Sequence, residues 1–161
     1  MKKMPDKSNP KYDVPPSRLA SGSKPENAVR VVIDINNARI VTKPWGREIM
    51  LSESPDYTFK KIEINAGFET SLQCHGKKRE TIMFLTGKPR VVFEDTEGML
   101  SFQDMKPGSI FEVRPPAVHR VVALTDITYV EASTPDPDGK DVIRLRDSFQ
   151  RKDGRVENEY K

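Results

Sequence analysis

Ten short runs of branched or alternating apolar residues, each closed within a few positions by a turn residue, dominate this chain from Val31 onward. VVIDI, EIML, YTFKKIEI, TSLQCH, ETIMFLTG, PRVVFED, MLSF, SIFEVRP, HRVVAL and ITYVEA follow one another at intervals of about ten residues. That spacing restricts the fold to a β-sandwich or barrel. Asn65-Ala66-Gly67, Gly87-Lys88-Pro89, Glu97-Gly98 and Lys106-Pro107-Gly108 each put a Gly or Pro where the backbone must reverse. Only DVIRLRDSFQ departs from the pattern. Its Val142, Leu145 and Phe149 fall roughly on one side and predict a short C-terminal helical segment.

The 161 residues suit one domain, with one active site as the natural expectation. Residues 1–29 contain five of the thirteen prolines, one aromatic residue and few branched apolar side chains. Such a stretch cannot bury enough surface to offset the entropy of ordering, so a disordered arm, or one draped over a partner subunit, is expected there. The expected divisions are therefore an arm over 1–29, the folded domain over 30–151 and a tail over 152–161. The formal charge of +3 has the same asymmetry: residues 1–29 hold six Lys or Arg against three acids, leaving 21 against 21 in the body. A nucleic-acid binder is expected to carry its basic excess on the folded body, which argues against that class. The single cysteine, Cys74, cannot form an intramolecular disulfide, and neither a leader-like start nor an apolar run of about 20 residues is present. A cytoplasmic protein without membrane contact is the expectation.

The chain has only two histidines, and their setting is informative. Gly67 is followed after five residues by Gln73, then after one by His75, after four by Glu80 and after six by Gly87. His119 follows Pro107-Gly108 and the turn Arg114-Pro115-Pro116. The run Gly67 to Gly87 resembles the first motif of the cupins, and Pro107 to His119 resembles the second. Gln73 in place of the more common histidine, preceded by Ser71-Leu72, is similar to the cupin domain of type II mannose-6-phosphate isomerases. Lys43-Pro44-Trp45-Gly46, Lys61-Ile62 and DVIRLRDSFQR, with Arg144, Asp147 and Arg151 matched, extend that similarity over roughly residues 41 to 151. The chain departs from the family at Gly76 to Arg79, at Thr81-Ile82 and at Ala123, where histidine-rich or other polar residues are usual.

This resemblance implies an all-β cupin double-stranded β-helix, the jelly-roll barrel. It also implies one divalent metal ion, Zn, Mn, Fe, Co or Ni, held by Gln73, His75, Glu80 and His119. The spacing has a physical reason: residues two apart on a strand leave the same face, so Gln73 and His75 can reach one ion. A mixed imidazole, amide and carboxylate set suits a borderline divalent ion. The implied activity is an aldose–ketose isomerisation of a sugar or sugar phosphate, with another metal-dependent cupin reaction (epimerase, lyase or oxygenase) or a non-catalytic sugar sensor as alternatives. Lys61, Glu63 and Glu112 are the candidate proton-transfer residues. Lys77, Lys78, Arg79 and Arg114 are the candidate phosphate-binding residues. Whether Lys61 and Glu63, or instead Ile62 and Ile64, face the barrel interior is open at this level. Cys74 should face away from Gln73 and His75. The exposed edges of a small barrel favour a homodimer.

Overall fold

Two six-stranded sheets face each other in this computed structural model, which describes residues 34–136 and 139–151 and the backbone of residues 155–156. The arm expected over residues 1–29 lies outside the described residues. Of the tail expected over 152–161, only two residues of backbone are described. The strands are β1 (Arg39–Lys43), β2 (Gly46–Glu53), β3 (Thr58–Ile64), β4 (Leu72–His75), β5 (Glu80–Thr86) and β6 (Pro89–Glu94), followed by β7 (Leu100–Asp104), β8 (Ile110–Val113), β9 (His119–Ala123), β10 (Ile127–Ser133), β11 (Val142–Arg146) and β12 (Arg155–Val156). One sheet runs β1-β2-β3-β10-β5-β8 and the other β12-β11-β4-β9-β6-β7. All pairings are antiparallel except β11 with β12. This is the jelly-roll barrel of the cupins.

The core lies between the sheets, where Ile62, Ile64, Phe84, Val91, Val121, Ile127 and their neighbours pack. Period two fixes which side chains enter it. On β3 the inward file is Thr58, Lys60, Ile62 and Ile64; on the adjacent β10 it is Ser133, Glu131, Tyr129 and Ile127. Both files grade from polar to apolar in the same spatial direction. One end of the barrel is thus a dry core, and the other opens into a cavity of about 760 Å³.

One local expectation changes. The segment DVIRLRDSFQ is not helical: Val142–Arg146 is strand β11, paired with β4. Val142 and Arg144 are both buried and alternate with the half-buried Ile143 and Leu145. Period two is real there, but a charged residue occupies one of its buried positions and conceals it. Trp45 is 3% exposed and belongs to the core cluster, and Gly46 explains how it gets there. Gly46 has φ +151°, and a Cβ at this position would collide with the carbonyl oxygen of Glu63 on the neighbouring strand. Only glycine lets β2 leave the turn so close to β3.

Candidate metal centre

β4 and β5 are joined by a four-residue turn, and that turn brings the first sequence motif to a point. The carboxylate of Asp141 accepts the backbone N–H groups of Lys77 at 3.0 Å and Lys78 at 2.7 Å, which fixes the turn. Partial burial acts to raise the Asp141 carboxyl, but these bonds outweigh it and hold it below the ordinary range. His75 ends β4, Glu80 begins β5, and His119 begins β9, which pairs with β4 through Gln73 opposite His119.

His75 Nε2 lies 3.3 Å from Glu80 Oε1, and His119 Nε2 lies 3.3 Å from Glu80 Oε2. One ligand atom from each of the three residues falls within 4.8 Å of the others, and all three side chains are buried. His119 Nδ1 faces the Ala117 carbonyl oxygen at 3.1 Å, which orients the ring with Nε2 toward Glu80. Gln73 Nε2 is 3.5 Å from His75 Nε2, while its Oε1 accepts from the Ser71 hydroxyl at 2.6 Å. A hydroxyl can also accept, so Ser71 supports the amide with either atom turned toward His75.

Lys78 is 9% exposed and donates to Glu80 Oε1 at 2.5 Å and to Glu131 Oε1 at 2.9 Å. Burial acts to lower its ammonium pKa, but the charges of Glu131 and Glu80 outweigh it and raise the value. For Glu80, burial acts upward; bonds from His119 and His75 and the charge of Lys78 hold the carboxyl well below its ordinary range. A carboxylate that stays ionised, with Oε2 not engaged by Lys78, and two inward imidazole nitrogens form a donor set that fits a borderline divalent ion. Among the described residues no other group of His, Cys, Asp and Glu side chains has this convergence.

The remaining candidates from the sequence separate by strand parity. Lys61 and Glu63 leave β3 on the face opposite Ile62 and Ile64, which are each 1% exposed. They pair with each other at 2.7 Å, and Glu63 also binds Arg47 at 2.6 Å, all outside the cavity. Glu112 and Arg114 are exposed and pair at 3.1 Å, with neither lining the cavity. The expectation that Lys61, Glu63 or Glu112 reaches a reacting carbon is therefore corrected: Lys61 and Glu63 fall on the outer parity of β3, opposite Ile62 and Ile64, and Glu112 is exposed on β8. Lys77 and Arg79 are likewise exposed on the turn, and of the basic run only Lys78 faces inward. Cys74 alternates with Gln73 and His75 and is half-buried.

Sequence reasoning missed Glu131, Lys60 and Ser133, and used Arg144 only as a point of family similarity. All four line the cavity. Arg144, 5% exposed, stands opposite Gln73 in register. Glu131 was detectable in principle, because it shares strand parity with Ile127 and Tyr129. Tyr129 is raised well above its ordinary value, first by burial and then by the negative charges of Glu131, Glu48 and Glu80, so its phenol stays neutral beneath the carboxylates.

Residues 33–146 match the family described as mannose-6-phosphate isomerase C-terminal. Among solved structures, the chain is similar to the capsular polysaccharide assembling protein CapF from Staphylococcus aureus, at 15% identity over 65% of this chain and 31% of that one, with a TM-score of 0.59. Oxalate decarboxylase from Bacillus subtilis gives 16% identity over 70% and 32%, with a TM-score of 0.60. KdgF from Halomonas sp. gives 17% identity over 64% and 93%, with a TM-score of 0.56. Identities this low show a shared fold and nothing finer. The chain spans about a third of the length of the CapF and oxalate decarboxylase chains it resembles. No curated protein matches it. With that family covering more than half of a two-sheet barrel, the chain belongs to the mannose-6-phosphate isomerase C-terminal family of cupins.

Proposed function

We propose that this protein is a metal-dependent isomerase that interconverts an aldose and a ketose, acting on a sugar phosphate or a related sugar. The observation that carries the reading is the convergence of His75, Glu80 and His119 on a polar cavity that also receives an acid–base pair, Lys78 and Glu131. Gln73, His75, Glu80 and His119 would hold a divalent ion, which would supply Lewis-acidic charge to the carbonyl and hydroxyl oxygens of the first two sugar carbons. Glu131 is the carboxylate beside that centre that is not in the ligand set, and it takes the proton from carbon 2 and returns it to carbon 1. The hydroxyl proton on oxygen 2 moves to oxygen 1, which completes the aldose-to-ketose change without any oxidant. Lys78 holds Glu131 through its 2.9 Å bond and offsets one of the two negative charges it lies between. Tyr129 and Trp45 close the cavity floor.

The direct test is interconversion of mannose 6-phosphate and fructose 6-phosphate by the purified protein, with a panel of other phosphosugars beside it. Turnover is expected to disappear in His75→Ala and to fall by about 10²–10⁴ in Glu131→Gln. Unchanged turnover in His75→Ala would defeat the mechanism, and saturable binding without turnover would favour a sensor.

We further propose a cytoplasmic homodimer. A single half-buried cysteine is consistent with a reducing compartment. Strand β8 ends its sheet and carries Ile110, 62% exposed, beside Met83 on β5, 38% exposed. An open strand edge flanked by apolar side chains is a surface that a second copy can cover about a two-fold axis. Among the described residues, no helix is long and apolar enough to cross a membrane.

A further inference from the structure

The cavity contains a second cluster of charge that the metal chemistry leaves unused. Lys43 on β1, Glu48 on β2 and Lys60 on β3 project inward from three neighbouring strands. Glu48 Oε1 lies 3.6 Å from Lys43 Nζ, and Glu48 Oε2 lies 3.5 Å from Lys60 Nζ. Their side chains are 24%, 18% and 17% exposed in chain order. Two ammonium groups thus share one carboxylate, and the cluster keeps a net charge of +1. Both separations exceed the 2.7–3.2 Å of a well-formed hydrogen bond. The comparable pairs on the outer face of the same sheet, Lys61 with Glu63 and Arg47 with Glu63, close to 2.7 and 2.6 Å.

A pair of cations held apart by one anion, with donor capacity to spare, is arranged to accept a second anion. Each ammonium has three donors, and Glu48 can occupy only part of that capacity. A further donor is close in sequence: Trp45 lines the cavity, is 3% exposed, and its indole N–H is buried without an acceptor. Buried donors of this kind call for a partner. The cluster also stands at a useful distance from the metal centre. Lys60 is opposite Glu131 in register, and β10 in turn pairs with β5, which carries Glu80. Glu80 lies opposite Ser133, two residues along β10 from Glu131, so two strand spacings and that offset give roughly 12 Å between backbones. Side chains extending inward from both ends narrow that gap toward the reach of a six-carbon chain with a terminal phosphate.

We propose that Lys43 and Lys60, held in place by Glu48, form an oxyanion subsite that takes the terminal phosphate or carboxylate of a small polyol substrate on the β1–β3 side of the cavity. The subsite shares its cavity with the isomerase reading and rests on that reading only for the polyol part of the ligand. It replaces the exposed residues Lys77, Arg79 and Arg114 as the place where substrate charge is recognised.

Calorimetric titration of the full chain with mannose 6-phosphate, glucuronate, neutral mannose and inorganic phosphate tests this without requiring turnover. At least one of the two anionic sugars is expected to bind about tenfold tighter than mannose, and the tighter of the two identifies phosphate or carboxylate as the natural group. Lys60→Gln and Lys43→Gln should each weaken the anionic sugar about tenfold and leave mannose binding unchanged. Glu48→Gln removes the competing carboxylate and should strengthen inorganic phosphate binding, a gain that a misfolded variant cannot produce. Equal affinity for charged and neutral sugars would overturn the proposal. So would indifference to Lys60→Gln, or a greater loss in Lys77→Gln and Arg79→Gln than in the cavity variants. A protein that passes these tests but does not isomerise any phosphosugar retains the subsite and loses only the isomerase reading.

Discussion

His119 illustrates how one hydrogen bond can orient a buried side chain as a candidate ligand. With Nδ1 against the Ala117 carbonyl at 3.1 Å, the ring is held with Nε2 3.3 Å from Glu80 Oε2, the position in which a bound ion would take the place of a proton. Elemental analysis of protein purified without added metal should therefore find about one divalent ion per chain, and His119→Ala should retain less than about a tenth of it. Lys78 poses the opposite problem, a cation buried between two carboxylates. Lys78→Met would leave Glu80 and Glu131 facing each other without compensation, so urea denaturation should show a loss of about 3–5 kcal/mol. Lys78→Met combined with Glu131→Leu should recover part of that loss, because the second change removes the stranded charge. Equal losses in the single and double variants would show that Lys78 matters for packing alone. The convergence of His75, Glu80 and His119 was legible in the sequence because period two and motif spacing do not depend on tertiary context. Which charged side chains line the cavity was not legible. Lys60 and Lys61 are chemically alike and differ only in which face of β3 the buried isoleucines claim.

At the scale of elements, two connections decide whether the centre assembles. The first is the tight approach of β2 to β3 at Gly46. Gly46→Ala places a methyl group against the Glu63 carbonyl with no flexible atom to yield, and should cost about 3 kcal/mol or more, read as a lowered urea midpoint. The second is the turn between β4 and β5, which Asp141 holds through the N–H groups of Lys77 and Lys78. Its carboxyl is depressed in the folded state relative to an unfolded value of about 3.9. A depressed carboxyl adds stability that is complete above the unfolded value and is lost as pH falls through the lower folded one. Acid titration of stability should accordingly show a contribution of about 1 kcal/mol from Asp141 at neutral pH that disappears below pH 4. Asp141→Asn should lack that pH-dependent step, and an identical acid profile in the variant would remove the turn from the account. The misreading of DVIRLRDSFQ belongs at this scale as well. Helical spacing of Val142, Leu145 and Phe149 competed with an alternation in which Arg144 takes an inward position, and a lone segment cannot show that a cavity awaits that charge.

Across the whole barrel, the inward files of β3 and β10 run from isoleucine to lysine, glutamate and serine, so one scaffold holds a dry core at one end and a charged cavity at the other. The succession of short strands and turns made the barrel legible in advance, since a chain of so many half-apolar strands has few ways to cover both faces. Which edges remain open was not legible, because edge status depends on which strands pair. Pairing leaves β8 at one margin, with Ile110 and Met83 adjacent on its outer side. These side chains contribute little to the core, so replacing them with charge should leave the fold intact while disrupting any contact between copies. Light scattering coupled to size exclusion should give wild type a mass twice that of the 18.3 kDa chain, and Met83→Lys with Ile110→Lys a mass close to one chain. The candidate ligands lie on the inner faces, so the double variant should match the wild type in metal content. A wild-type monomer at micromolar concentration would remove the dimer, and a double variant that stays dimeric would move the interface to another edge of the barrel.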